Sequence, residues 1–241
     1  MKSRVRVYFR QVTLLRVALA ALLLLALILQ AGAQSHSYSE AFQQYQRGRQ
    51  LEQAGRVAEA AKSFASSLSV VEGLLSSQPG NSDLVSLQAW NLFRLGRHKE
   101  VTAVAQKALA AARDPRSRDF RILETLAESL YFLGDSEEAL KNFAAYMELA
   151  PANDDRMSSA YYYVGECYLR LKKYEHADIA FSTATTMEKG MFYWWYRLGI
   201  AKENLSKYKQ AYDSFGRALS LNSGFQIARE AQARVKAKAG L

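Results

Sequence analysis

The stretch YYYVGECYLRLKKYEHADIAF at 161–181 is answered 34 residues later by WYRLGIAKENLSKYKQAYDSF at 195–215. In the first, Tyr161, Val164, Gly165 and Tyr168 recur at the three- and four-residue steps that place side chains on one helix face. Lys172-Lys173-Tyr174 then turns the chain, and Ala177 and Phe181 continue one face of a second helix. The second stretch repeats this order with Trp195, Leu198 and Gly199, then Tyr208, then Ala211, Phe215 and Ala218.

Working outward, the same order recurs three more times. One passage runs Leu123, Leu126, Ala127 and Leu130, turns at Gly134, and continues Ala139, Phe143 and Pro151. Another shows Gly48, Leu51, Gly55, Ala60 and Phe64. A third, with Ala89, Leu92, Gly96, Val101 and Ala108, has Ala105 in place of the aromatic. No period-two alternation competes from Ser39 onward, so an all-α chain is expected.

These residues resemble the tetratricopeptide repeat, in which W-x2-L-G-x2-Y, A-x3-F and P recur in one helix hairpin. The resemblance spans about residues 41–222. It implies a right-handed superhelical solenoid of about five hairpins, closed by a capping helix within 223–241, with 34–40 as a short linker. Small residues at Gly48, Ala89, Ala127, Gly165 and Gly199 would let paired helices approach closely, and Phe64, Phe143, Phe181 and Phe215 would fill the groove to the next hairpin. Phe225, Ile227, Ala228, Ala231 and Val235 give the cap an apolar face among Arg229, Glu230, Arg234, Lys236 and Lys238.

Departures from the pattern are specific. Turn positions Gly55, Gly96, Gly134, Lys172 and Ser206 are spaced 41, 38, 38 and 34 residues apart. The extra residues are expected in loops at Leu74–Ser82, Arg113–Asp119 and Ala152–Met157. Lys202 stands where the family has a tyrosine, and Ala105 makes the second repeat the expected loosest joint.

The chain has 32 basic and 23 acidic residues, a formal charge of +9. Five of those bases, Lys2, Arg4, Arg6, Arg10 and Arg16, precede an apolar run from Val17 to Leu29, which ends at the small residues Ala31-Gly32-Ala33. This is signal-peptide anatomy over 1–33, with Gln34 as the expected first mature residue. The alternative is an uncleaved anchor at 17–29, short for a membrane span of about 20 apolar residues. Membrane contact is expected only if that segment is retained. Without it the charge falls to 27 against 23, too balanced to argue for nucleic acid. Export is expected, to the periplasm if the source is bacterial.

Little points to catalysis. His36, His98 and His176 lie in unrelated contexts with no ligand spacing, and the single cysteine, Cys167, reads as a small buried hydrophobe. The pair Asp154-Asp155 lacks the oxygens and turn glycine of a calcium loop. There is no G-x-S-x-G, Gly-rich phosphate loop or H-E-x-x-H. No cofactor, no metal and no enzyme activity are expected.

Function is then expected on a surface that binds another protein or peptide. In the family, first-helix side chains line the concave face. That maps onto Phe42, Tyr45, Arg49 and Glu52; Trp90, Phe93 and Arg94; and Arg121, Glu124, Glu128 and Tyr131. From the last two repeats come Tyr162, Glu166, Leu169 and Arg170, then Tyr193, Tyr196, Ile200, Glu203 and Asn204. The run Phe192-Tyr193-Trp194-Trp195-Tyr196 cannot bury every ring on one face, so some of Tyr162, Tyr193, Trp194 and Tyr196 should be exposed as anchors. A self-associating or tethered envelope module is a second expectation. A glycan-binding module is a third, favoured only by coplanar rings in an open groove. The Lys, Asn and Arg set of a carboxylate clamp is not present at the concave positions.

Overall fold

The computed structural model describes residues 37–241, and every regular element among them is helical. The described chain forms two compact units, one reaching to Leu95 and one from Gly96 to Leu241. The signal sequence expected at 1–33, the anchor at 17–29 and His36 lie outside the described residues.

The first unit holds α1 (37–53), α2 (Val57–Ser77) and α3 (Ser82–Arg94). Residues 37–40, expected in a linker, are already helical. A Cβ built on Gly48 would come within 2.5 Å of the Phe64 ring, so only glycine lets α1 and α2 close on that phenylalanine. The same ring joins Leu84 and Leu87 of α3 in one core, linking a hairpin to the helix that follows it. Helix α2 runs on through Ser77, which corrects the expected loop at Leu74–Ser82: its first four residues extend the helix, and Asn81 caps α3 by accepting from Leu84 N. The buried Ser67 hydroxyl donates to Ala41 O at 2.7 Å and accepts from Asn91 at 2.8 Å, tying all three helices together.

The second unit opens with α4 (His98–Ala111) and a short 3-10 turn, Pro115–Ser117. Three hairpins follow: α5 (Phe120–Leu133) with α6 (Ser136–Leu149), α7 (Met157–Arg170) with α8 (Tyr174–Met187), and α9 (Phe192–Asn204) with α10 (Tyr208–Leu221). Helix α11 (Gln226–Lys236) closes the stack. A Cβ on Gly165 would sit 2.7 Å from the Phe181 ring, and one on Gly199 would overlap Phe215 in the same way. Each ring also reaches the next element: Phe181 packs with Leu198 and Ala201 of α9, and Phe215 with Ala231 and Val235 of α11. The hairpins therefore share cores in sequence order, each completing its neighbour's.

All five turn positions read from the sequence, Gly55, Gly96, Gly134, Lys172 and Ser206, have positive φ, from 57° to 94°. At Lys172 and Ser206 a side chain occupies the left-handed conformation that glycine takes elsewhere. The cap forms as expected, with one correction: Ala228, Ala231 and Val235 are buried, whereas Ile227 is 46% exposed.

Candidate functional site

Helices α5, α7 and α9 supply the walls of an open cleft of about 410 Å³ in the second unit. Helix α7 contributes Glu166, Leu169 and Arg170, and α9 contributes Arg197, Ile200 and Asn204. Both sets follow the three- and four-residue steps of one helix face. Tyr131 from α5 and Tyr174 from the start of α8 complete the lining. The sequence-expected residues Glu166, Leu169, Arg170, Ile200, Asn204 and Tyr131 are thus brought together. Arg197 and Tyr174 were missed.

The cleft's electrostatics are built from two fixed groups. Glu166 is only 6% exposed, and its carboxylate accepts from Arg197 through two bonds, Nε to Oε1 and Nη2 to Oε2, the latter 2.7 Å long. The Tyr131 hydroxyl donates to the same carboxylate at 3.3 Å. The expectation that Glu166 is a free partner-binding group is therefore corrected: it holds α7 to α9. Arg170 is exposed, with its guanidinium 4.3 Å over the Tyr131 ring and Nη1 donating to Tyr131 O at 2.7 Å. Asn204 is exposed, and its Nδ2 donates to Ile200 O at 2.8 Å.

Around the cleft, the aromatic residues divide between packing and exposure. Tyr162 is half-buried, stacks on Trp194 at 5.2 Å and lies tilted against Phe181, and burial followed by the nearby Glu166 charge pushes its phenol well above the usual range. Trp194 is 7% exposed, so it is core. Tyr193 is 40% exposed, whereas Tyr196 is half-buried against Phe215 and Phe225. The Tyr193 and Tyr196 rings are inclined 43° to each other, so they form no coplanar platform. Glu203 is bound by both arms of Arg234 at 2.6 and 2.8 Å.

Two further expected concave acids are also structural. Glu124 and Glu128 are 4% and 2% exposed, and Arg156 reaches both, at 2.6 and 2.7 Å. Arg156 sits at the end of the inserted loop, where Asp154 accepts from Arg156 N and from the buried Tyr146 hydroxyl at 2.5 Å. The extra residues thus fasten one hairpin to the next. A sequence signal existed: Glu166–Arg197 and Glu203–Arg234 are both 31 residues apart and Glu124–Arg156 is 32, three or two short of the repeat. Lys202, the departure from the family tyrosine, pairs with the buried Asp178 at 2.8 Å, beside Lys207. Burial alone would raise that carboxyl, but the two lysines pull it below the usual range.

In the first unit, the expected partner residues are committed to packing and pairing. Trp90 stacks with Tyr45 at 5.7 Å, and Tyr45 is itself core. Arg94 pairs with Glu52 at 3.3 Å and lies 5.7 Å from the Phe93 ring.

The titratable groups offer no assembled reactive set. Cys167 is fully buried, and burial pushes its thiol up to about 12, which keeps it protonated. His176 is exposed beside the Tyr168 ring, and His98 stacks on Phe132 at 4.9 Å. Among the described residues, no three His, Cys, Asp or Glu side chains gather as a metal site, and no helix is long and apolar enough to cross a membrane.

Comparison with known proteins agrees with this architecture. The tetratricopeptide-repeat family model matches residues 158–190 and 195–225. No curated protein matches the sequence. Among solved structures, YrrB, described as a TPR protein with an unusual peptide-binding site, superposes with a TM-score of 0.58 at 16% identity, covering 84% of this chain and 97% of its own. A crystal structure of MamA protein superposes at 0.54 with 15% identity, over 82% of this chain and 96% of that one. The MSR-1 form of MamA gives 0.54 at 22% identity, over 66% and 84%. Residues 158–190 and 195–225 are tetratricopeptide repeats, and the chain that carries them has the all-α hairpin fold of TPR solenoids.

Proposed function

We propose that the chain is a non-enzymatic scaffold that holds another protein by seating a peptide-like segment of it in the α5/α7/α9 cleft. The observation that carries this reading is the cleft itself. Its walls are fixed by the Glu166–Arg197 pair and the Arg170–Tyr131 contact, while Leu169, Ile200 and Asn204 face the open space. Fixed walls reduce the ordering cost of binding. The peptide-binding site described for YrrB, a protein of the same fold, supports the reading.

Selection of a random dodecapeptide phage library on the protein tests it. Peptides should be enriched, and Ile200→Asp should abolish their binding while far-UV helicity is unchanged. Failure to enrich any peptide, or undiminished binding to Ile200→Asp, overturns the site.

The same reading places the scaffold outside the cytosol, in envelope assembly or complex formation, with residues 1–33 as its signal. The basic flank, the apolar run Val17–Leu29 and Ala31-Gly32-Ala33 support this. The intact mass of protein made in a secreting bacterium tests it. A chain starting at Gln34 is expected, and a full-length, membrane-bound chain would replace export with tethering.

A further inference from the structure

We infer that the cleft selects an acidic peptide segment and that Arg170 is the group that receives its carboxylate. This rests on the cleft being the partner-binding surface.

The argument begins from charge. Glu166 has its charge met by both arms of Arg197 and a hydroxyl from Tyr131, so it presents no unmet negative charge to a ligand. The other acids along these helices are treated alike: Glu124 and Glu128 share Arg156, and Glu203 holds Arg234. Arg170 is the departure, a guanidinium in the cleft that pairs with no carboxylate among the described residues. Beside it in the turn, Lys172 and Lys173 are exposed, against the single acid Glu175. The cleft is therefore one positive charge in excess.

Geometry makes that charge a receptor. The Tyr131 ring beneath the guanidinium and the bond from Nη1 to Tyr131 O hold the fork in place and use one of its five donors. A carboxylate arriving from the open side would meet the remaining N–H groups already oriented. Asn204 commits its amide nitrogen to Ile200 O, which leaves the side-chain oxygen to accept a peptide N–H. Leu169 and Ile200 offer contact for an aliphatic side chain of the same segment. Those two features suit a peptide and offer nothing to a nucleic acid, which would need a run of phosphate-facing cations.

The test uses the same phage selection on the full chain. Peptides recovered on the wild type should be enriched in Asp and Glu over the input, and the enrichment should vanish on Arg170→Gln. For one selected peptide made synthetically, changing its acid to the amide should weaken binding roughly tenfold on the wild type and hardly at all on Arg170→Gln. Arg170→Lys should recover only part of the loss, because the charge remains and the fork does not. Arg170→Gln is followed by thermal melting, and its selection counts where its midpoint matches the wild type; the acid-to-amide comparison on the wild type stands by itself. Peptides that bind but carry no acidic preference, or an acid effect that persists without Arg170, overturn this inference and leave the cleft as a peptide site. Binding of single-stranded oligothymidylate in place of any acidic peptide overturns it as well. No enrichment at all ends both proposals.

Discussion

At the scale of single residues, the close approach of paired helices depends on a missing atom. Gly165 and Phe181 occupy a space that a Cβ would invade at 2.7 Å, and both are fully legible in the repeat pattern. Gly165→Ala is expected to lower stability by about 1–3 kcal/mol through overpacking, read as a shift in chemical-denaturation midpoint at constant slope. The turns make the opposite prediction. Lys172 and Ser206 pay a left-handed strain that Gly134 avoids, so Lys172→Gly should raise stability by up to about 1 kcal/mol and Gly134→Ala should lower it by a similar or larger amount. Spacing identified all five turn positions, although it said nothing of their handedness.

His98 gives a residue-scale prediction in pH. It is the first residue of α4, stacked on Phe132 with Nδ1 3.4 Å from Ser129 Oγ, and burial holds its pKa below the ordinary 6.5. The unfolded chain therefore binds the proton more tightly than the fold. The stabilisation is present above about pH 6.5 and is lost as pH falls through the depressed folded value. Denaturation midpoints measured from pH 7.5 to 5 should fall for the wild type and fall less for His98→Gln.

At the scale of elements, neighbouring hairpins are joined by shared phenylalanine cores and by carboxylate–arginine stitches, and these two kinds of joint differ in what the sequence discloses. Apolar spacing disclosed the first kind. The second was hidden, because a glutamate on a helix looks solvated until the arginine one repeat on is placed beside it. Thus Glu124, Glu128 and Glu166 read as ligand groups and are buried. Trp194 read as a possible surface anchor and is core for a related reason: its neighbour Tyr162 comes from α7, a contact no local period reveals. The length of α2 was hidden too, since polar residues at its end resemble a loop.

The stitches should differ in strength by burial. Arg156→Met removes the only guanidinium that reaches Glu124 and Glu128 and is expected to cost about 3–5 kcal/mol, as for a buried carboxylate left without its partner. Arg234→Met breaks a pair whose arginine is half exposed to solvent, and less than about 1 kcal/mol is expected. Urea denaturation of the two variants side by side measures the contrast. Equal losses would show that burial does not set the strength of these joints.

At the scale of the whole molecule, the hairpin order, the all-α class and the closing helix were legible before any coordinates, because each repeats a pattern many residues long. The division after Leu95 falls within the repeat that lacks its aromatic, where Ala105 stands in the phenylalanine position. The cleft was legible only in outline. Counting helix positions collected Glu166, Arg170 and Asn204 on one face, but which of them is tied up and which faces solvent is decided by Arg197 and Tyr131, partners from other repeats.

The central claim is that α5, α7 and α9 receive the partner, and site-directed photo-crosslinking measures it most directly. A benzoylphenylalanine placed at position 204 in the cleft, or at position 179 on α8, where Ile179 is 68% exposed, is irradiated with a selected peptide bound. A crosslink from 204 and none from 179 is the expected result. A crosslink from 179 with none from 204 would put the partner on another face and contradict the account.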